Sequence, residues 1–162
     1  MIHTVRTSAL PALARSGACL ALAFACLLAD ARIVRAEVTP VTVTLDLTRY
    51  SSVQRLAAGP YAGVSRGRVV VHVGDALVFV NSDDRHHTAT SLGDATSFPQ
   101  DPRWTDSVLR ASGSIGDGMW SSGDLAPGAR SSPISVTKPG TYLYGCFFDY
   151  SAGMRGEIIV EP

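Results

Sequence analysis

Short alternating runs of side chains, each cut off by glycine or proline, recur from Val41 to the end of this chain, and they restrict the fold more than any other feature. VTVTLDL (Val41–Leu47) repeats with period two, as do RVVVHV (Arg68–Val73) and ALVFVN (Ala76–Asn81), separated by the turn Gly74-Asp75. Thr88–Ser91 is a short candidate, and Ala129–Thr137 reads as an edge strand because Pro133 has no N–H for a ladder. Lys138-Pro139-Gly140 turns the chain into TYLYGC (Thr141–Cys146), and GEIIVE (Gly156–Glu161) closes it. A period of two sends successive side chains to opposite faces, so one face of each run can be buried. Many short strands with such punctuation predict an all-β fold, a Greek-key antiparallel β-sandwich or barrel, with one or two short helices in insertions.

Two stretches exceed what a bare sandwich needs. Arg49–Gly67 follows the first strand; its start suits a helical turn that Gly59-Pro60 would end. Leu92–Met119 is long for a loop, and Asp106 could cap a short helix through Ala111.

The N-terminus has a different character. Arg6 and Arg15 precede the apolar run Ala18–Ala29, which is shorter than the roughly 20 residues a bilayer span requires. Val34 and Ala36 supply the aliphatic and small residues expected before a cleavage point. Residues 1–36 therefore read as a cleaved signal peptide and 37–162 as one exported domain. A retained anchor fits the short run less well, and a lipoprotein cut before Cys26 is disfavoured by the bulky Phe24. Four of the fourteen Lys and Arg residues and one of the fourteen Asp and Glu residues fall in the leader, leaving a mature net charge of about −3. No basic stripe remains to serve nucleic acid.

Cys19 and Cys26 leave with the leader, so Cys146 is the only cysteine of the mature chain and has no internal disulfide partner. An unpaired cysteine outside the cytosol points to pairing with another chain, a reactive thiol or a metal ligand. Asp149 stands three residues on and Met154 eight residues on, in a loop eased by Gly153 and Gly156. Alone, Cys146 would sooner be a small apolar core residue and Met154 core filling. Together, thiolate and thioether are soft ligands that suit copper. The missing imidazole is offered by FVNSDDRHHTATS (Phe79–Ser91), which places His86 and His87 just beyond a strand end. The polar Asp83-Asp84-Arg85 reads as a solvated turn, His72 as an exposed strand residue, and Trp120 as core.

The segments VHVGDALVFVNSDDRHHTATS, WSSGDLAPG, KPGTYLYGC and GMRGEIIV together resemble the cupredoxin (plastocyanin-like, blue copper) family. The resemblance covers most of Arg68–Glu161 apart from the Leu92–Met119 insertion. It implies a copper ion held by His87, Cys146 and an axial Met154, with Asn81 bracing the cysteine loop. The family's second histidine falls on Asp149, which departs from the pattern. Asp149 admits four readings: it ligates copper itself, His86 replaces the imidazole, three protein ligands suffice with water, or the fold has left copper behind. The first is favoured, and the retention of Cys146 and Met154 argues against the fourth. The resemblance further implies a periplasmic one-electron carrier, not an enzyme, expected as a monomer that meets redox partner proteins. The alternative is copper delivery or storage without redox chemistry, or a copper-free interaction module. A cysteine nucleophile lacks any recognisable oxyanion-hole motif, and zinc would leave Met154 without a role.

Overall fold

A computed structural model of the protein describes residues 39–50 and 61–162. The signal-peptide reading of 1–36 and most of the expected helical segment before Gly59-Pro60 lie outside these residues. Among the described residues, seven strands appear where the alternation predicts them: β1 (Val41–Leu45), β2 (Arg68–His72), β3 (Ala76–Asn81), β4 (Thr90–Ser91), β5 (Ile134–Ser135), β6 (Gly140–Gly145) and β7 (Arg155–Glu161). They form an all-β sandwich of two sheets, one ordered β1-β3-β5 and the other β2-β7-β6-β4. Among the described residues, no helix is long and apolar enough to cross a membrane.

Both sheets are mixed rather than purely antiparallel. β1 runs parallel to β3, with Val41 opposite Leu77 and Leu45 opposite Asn81, and β2 runs parallel to β7, with Arg68 opposite Glu157. The cause is topological. β1 and β3 share a sheet while β2 lies in the other, so the chain crosses between sheets twice before it returns beside β1. The antiparallel pairings are β3 with β5, β4 with β6, and the β6–β7 hairpin.

Alternation explains which faces are covered. In β2, Val69 and Val71 are buried while Val70 and His72 face out. Val43, Leu45, Leu77, Phe79, Ile158 and Val160 fill the space between the sheets with Trp120, Ile115 and Tyr144. Phe79 stacks on Trp120 with centroids 5.9 Å apart and meets Tyr144 edge-on at 5.4 Å. Such offset and edge-on pairs satisfy the ring quadrupoles while burying large apolar areas.

Local signals account for the two helical pieces among the described residues. α1 (Leu47–Tyr50) is a single turn capped by Asp46, whose carboxylate accepts from Arg49 N at 2.7 Å. In the insertion, a 3-10 turn spans Asp106–Leu109 and ends before Ala111. Thr105, not Asp106, occupies its cap position, and no side chain caps it.

Candidate metal centre

The register of one strand pair sets the site. β4 and β6 are antiparallel, with Thr90 opposite Gly145 and Ser91 opposite Tyr144. Stepping back from Thr90 reaches His87, and stepping forward from Gly145 reaches Cys146, so two residues 59 positions apart converge beyond the same end of the sheet. His87 is held there by two backbone hydrogen bonds with Leu125, N to O at 3.1 Å and O from N at 2.9 Å. The Trp120–Gly128 segment thus has a definite duty: it pins the histidine backbone.

On the other side, the β6–β7 connection coils tightly. Met154 O accepts from Cys146 N at 2.9 Å, while Asp149 O accepts from Ala152 N at 3.1 Å and from Met154 N at 3.2 Å. Gly153 takes φ 88°, a left-handed conformation that lets the coil close. The coil turns the Asp149 carboxylate back toward the cysteine. Gly156, expected to ease this turn, instead lies within β7, opposite Tyr144.

The result is a compact donor set. His87 Nδ1 lies 3.6 Å from Cys146 Sγ and 3.2 Å from Asp149 Oδ2, and Cys146 Sγ lies 3.9 Å from that oxygen. One ligand atom from each residue falls within 4.8 Å of the others, an arrangement able to hold a metal ion. His87 is fully buried, Cys146 is 1% exposed, and the Asp149 side chain is 17% exposed. Imidazole nitrogen, thiolate sulfur and carboxylate oxygen together suit a borderline-to-soft transition ion rather than magnesium or calcium.

Electrostatics at Cys146 describe the metal-free state. Burial pushes the thiol up to about 11, opposed by the amides of Thr88, Asp149 and Phe148 and reinforced by the nearby Asp149 carboxylate. The group is a neutral thiol near pH 7 until a cation displaces its proton.

Met154 is 1% exposed, and its side chain packs against Gly63. A methyl on Gly63 would stand 2.8 Å from Met154 Cγ and 3.3 Å from its Sδ, and Gly63 has φ +69°. Gly63 therefore clears the space that the thioether occupies. His86 points elsewhere: its ring is 55% exposed and pairs with Asp124 at 2.9 Å.

Two readings of the surrounding residues need correction. Asn81 does not brace the cysteine loop. Its side chain ties the histidine loop together, with Nδ2 donating to Arg85 O and Leu125 O and Oδ1 accepting from Asp83 N. The link to the cysteine loop comes from Thr88, whose hydroxyl accepts from Phe147 N at 2.9 Å and whose N–H approaches Cys146 Sγ at 3.4 Å. Asp83 is not a solvated turn residue. It is 6% exposed, and its Oδ2 meets His87 Nε2 at 2.9 Å. Burial pushes its carboxyl up, but hydrogen bonds from His87, Leu47 N and Asp84 N outweigh this and hold it well below the usual carboxylate range. The carboxylate is therefore ionised near neutral pH and acts only as an acceptor. An acidic residue four before a histidine was visible in the sequence, but nothing local said that an irregular loop would bring the pair together.

The insertion packs on the metal loop. Trp104 donates Nε1 to Ser91 O at 2.8 Å and meets Tyr150 edge-on at 5.4 Å. Tyr150 donates its hydroxyl to Pro99 O at 2.8 Å, and Arg155 lies over its ring at 4.1 Å. Phe147 and Phe148 contact each other edge-on, and Phe148 remains 44% exposed.

No family model and no curated relative matches the chain. Solved structures do resemble it. A novel purple cupredoxin from Nitrosopumilus maritimus aligns at TM-score 0.47 and 16% identity, over 75% of this chain and 99% of that one. A Cu(I) amicyanin with a methionine-to-glutamine change aligns at TM-score 0.43 and 19% identity, over 78% of this chain and 88% of that one. A reduced amicyanin with a proline-to-phenylalanine change aligns at TM-score 0.45 and 19% identity, over 75% and 82%. The chain's own side chains carry the functional reading.

Proposed function

We propose that this protein is a cupredoxin-like copper protein that carries single electrons. The metal would be held by His87, Cys146 and Asp149, with Met154 as the further soft donor. The observation that carries the reading is the convergence of the buried His87 and Cys146 with the half-buried Asp149, one ligand atom from each within 4.8 Å of the others. Copper supplies the one-electron couple when bound. The chain's own residues hold the donors in place, and the packing of the loop keeps them from rearranging. Little rearrangement between oxidation states is what a carrier needs, and no bond-making step is assigned to the site. The apolar leader and its cleavage point support export of residues 37–162, and a periplasmic carrier meeting redox proteins is the corresponding setting. Copper delivery without redox cycling is the second reading; the soft sulfur pair Cys146 and Met154 favours it to the extent that Cu(I) is preferred.

Titration of the purified mature protein with Cu(II), followed by visible spectroscopy and voltammetry, tests this reading. One equivalent of copper, an intense thiolate-to-copper band and a reversible couple are expected. Uptake of Cu(I) alone with no reversible couple would turn the assignment to delivery, and no copper uptake would end both.

Asp149→His supplies a second expected result. An anionic oxygen favours Cu(II) over Cu(I), whereas a neutral imidazole removes that bias. The variant should show a higher potential and a bluer site. Spectra identical to the wild type would show that Asp149 does not face the metal.

A further inference from the structure

The histidine at this centre is gripped from behind by a second carboxylate that no ligand count includes. Asp83 Oδ2 lies 2.9 Å from His87 Nε2, on the ring edge opposite Cys146 and Asp149, and the two side chains are 2% and 0% exposed. Asp83 is itself immobilised. Its Oδ2 accepts from Leu47 N at 2.8 Å, its Oδ1 from Asp84 N at 2.8 Å, and its own N–H donates to Asn81 Oδ1 at 2.9 Å. These bonds draw on the α1 turn, the histidine loop and the end of β3, so the carboxylate has no free rotation. Backbone amides donate to both oxygens of this carboxylate, so it stands as an acceptor, and the matching partner at 2.9 Å is an N–H on His87 Nε2. A metal bound at Nδ1, on the side of Cys146 and Asp149, requires that nitrogen's lone pair and so places the ring proton on Nε2, facing Asp83.

We propose that Asp83 is a positioning residue for copper: it fixes the orientation and tautomer of His87, and its buried charge biases the centre toward Cu(II). Metal-bound histidines commonly donate their other N–H to such a carboxylate, which fixes the ring and raises ligand basicity. A charge excluded from water is weakly screened, and it attracts a dication more strongly than a monocation. The inference rests on the copper reading of the site and adds a determinant of its affinity and potential.

Asp83→Asn tests it, because the amide keeps the size and one acceptor oxygen but removes the charge. Cu(II) affinity should fall by about 10–100-fold, the range typical of outer-shell changes, with a smaller loss for Cu(I). Each tenfold preferential loss of Cu(II) raises the potential by about 59 mV for a one-electron couple. In the wild type, metal-free and Cu(I)-loaded, nitrogen-edited NMR should show a slowly exchanging proton on His87 Nε2, and the substitution should speed its exchange. A merely structural Asp83 would lower stability while leaving potential and Nε2 exchange unmoved, and that outcome overturns the inference. If the variant does not fold, the wild-type resonance decides: its absence overturns the proposal and its presence upholds the grip. Copper uptake by the wild type with an unaltered potential in the variant rejects Asp83 alone, whereas no uptake by the wild type rejects the site as a whole.

Discussion

Cys146→Ser should abolish the intense visible band of the copper-loaded protein and weaken copper binding by more than the roughly 10–100-fold that outer-shell changes cost. The sulfur is the only soft anion in the set, and a serine hydroxyl stays protonated near neutral pH and is a much harder donor. The metal-free variant should still fold. Thr88 N, which approaches Cys146 Sγ at 3.4 Å, can donate to the replacing oxygen. The penalty is then about 1–2 kcal/mol, that of exchanging a small buried apolar group for an imperfectly satisfied hydroxyl. Loss of the band can therefore be read separately from loss of the fold.

The same variant isolates a pH effect. In the metal-free protein, burial holds the Cys146 thiol up at about 11, so copper must release its proton on binding near pH 7. Release of one proton makes binding tighter as pH rises, by about tenfold per unit from this group, as long as pH stays below that value. Cys146→Ser removes this increment. Titrations at three pH values, wild type against variant, measure the difference in slope. Equal slopes, or a band retained in the variant, would take the sulfur out of the ligand set.

Gly156→Ala should be among the most destabilising single-methyl changes in the sandwich. Gly156 lies opposite Tyr144 in the β6–β7 hairpin, and directly opposed residues share a face. The Tyr144 phenol lies across the glycine, so an added methyl would overlap its ring carbon and hydroxyl oxygen. The ring has nowhere to go: Tyr144 is 1% exposed, with Phe79 at 5.4 Å and Trp120 at 6.0 Å between centroids. Overpacking of this kind costs about 1–3 kcal/mol, a large share of a typical domain's stability. Tyr144 leads through Gly145 into Cys146, so a displaced ring should also disturb the metal loop. A clear drop in the denaturation midpoint, with a weakened copper spectrum, is expected. An unchanged midpoint would mean that the aromatic cluster can yield.

These predictions draw unequally on what the primary structure displays. The strand positions were legible because a half-buried strand must alternate, and β2 and β3 begin where the pattern does. The Cys146, Asp149 and Met154 loop was legible because a single thiol beside a thioether is chemically unusual in a sequence that reads as exported. His87 could be proposed as its partner, yet nothing in its neighbourhood distinguishes it from His86 except the resemblance. The tertiary structure separates them: one ring is buried against the sulfur, while the other pairs with Asp124 at the surface.

Asp83 marks the limit of local reading. Its neighbours are polar, and a polar tripeptide before a histidine suggests a solvated turn. Only the closure of the loop by Asn81, and the Leu47 amide arriving from another part of the chain, bury it. Thr88 was overlooked for the same reason, since its tie to Phe147 spans 59 positions. The role of Gly156 was misread because glycine commonly signals a turn, whereas here its missing side chain makes room for an aromatic ring from the neighbouring strand.

By itself the sequence determined which residues could form strands, which faces they bury and which side chains had the chemistry to bind a metal. These are local properties, set by backbone stereochemistry and by the elements each side chain carries. The tertiary structure alone decided that β1 and β2 find parallel partners, that β4 pairs with β6 in the register that brings His87 to Cys146, and that Asp83 stands behind the ring. The physical reason is that alternation specifies a face but not a partner. Partners are selected by the shared core of both sheets, whose packing no single segment contains.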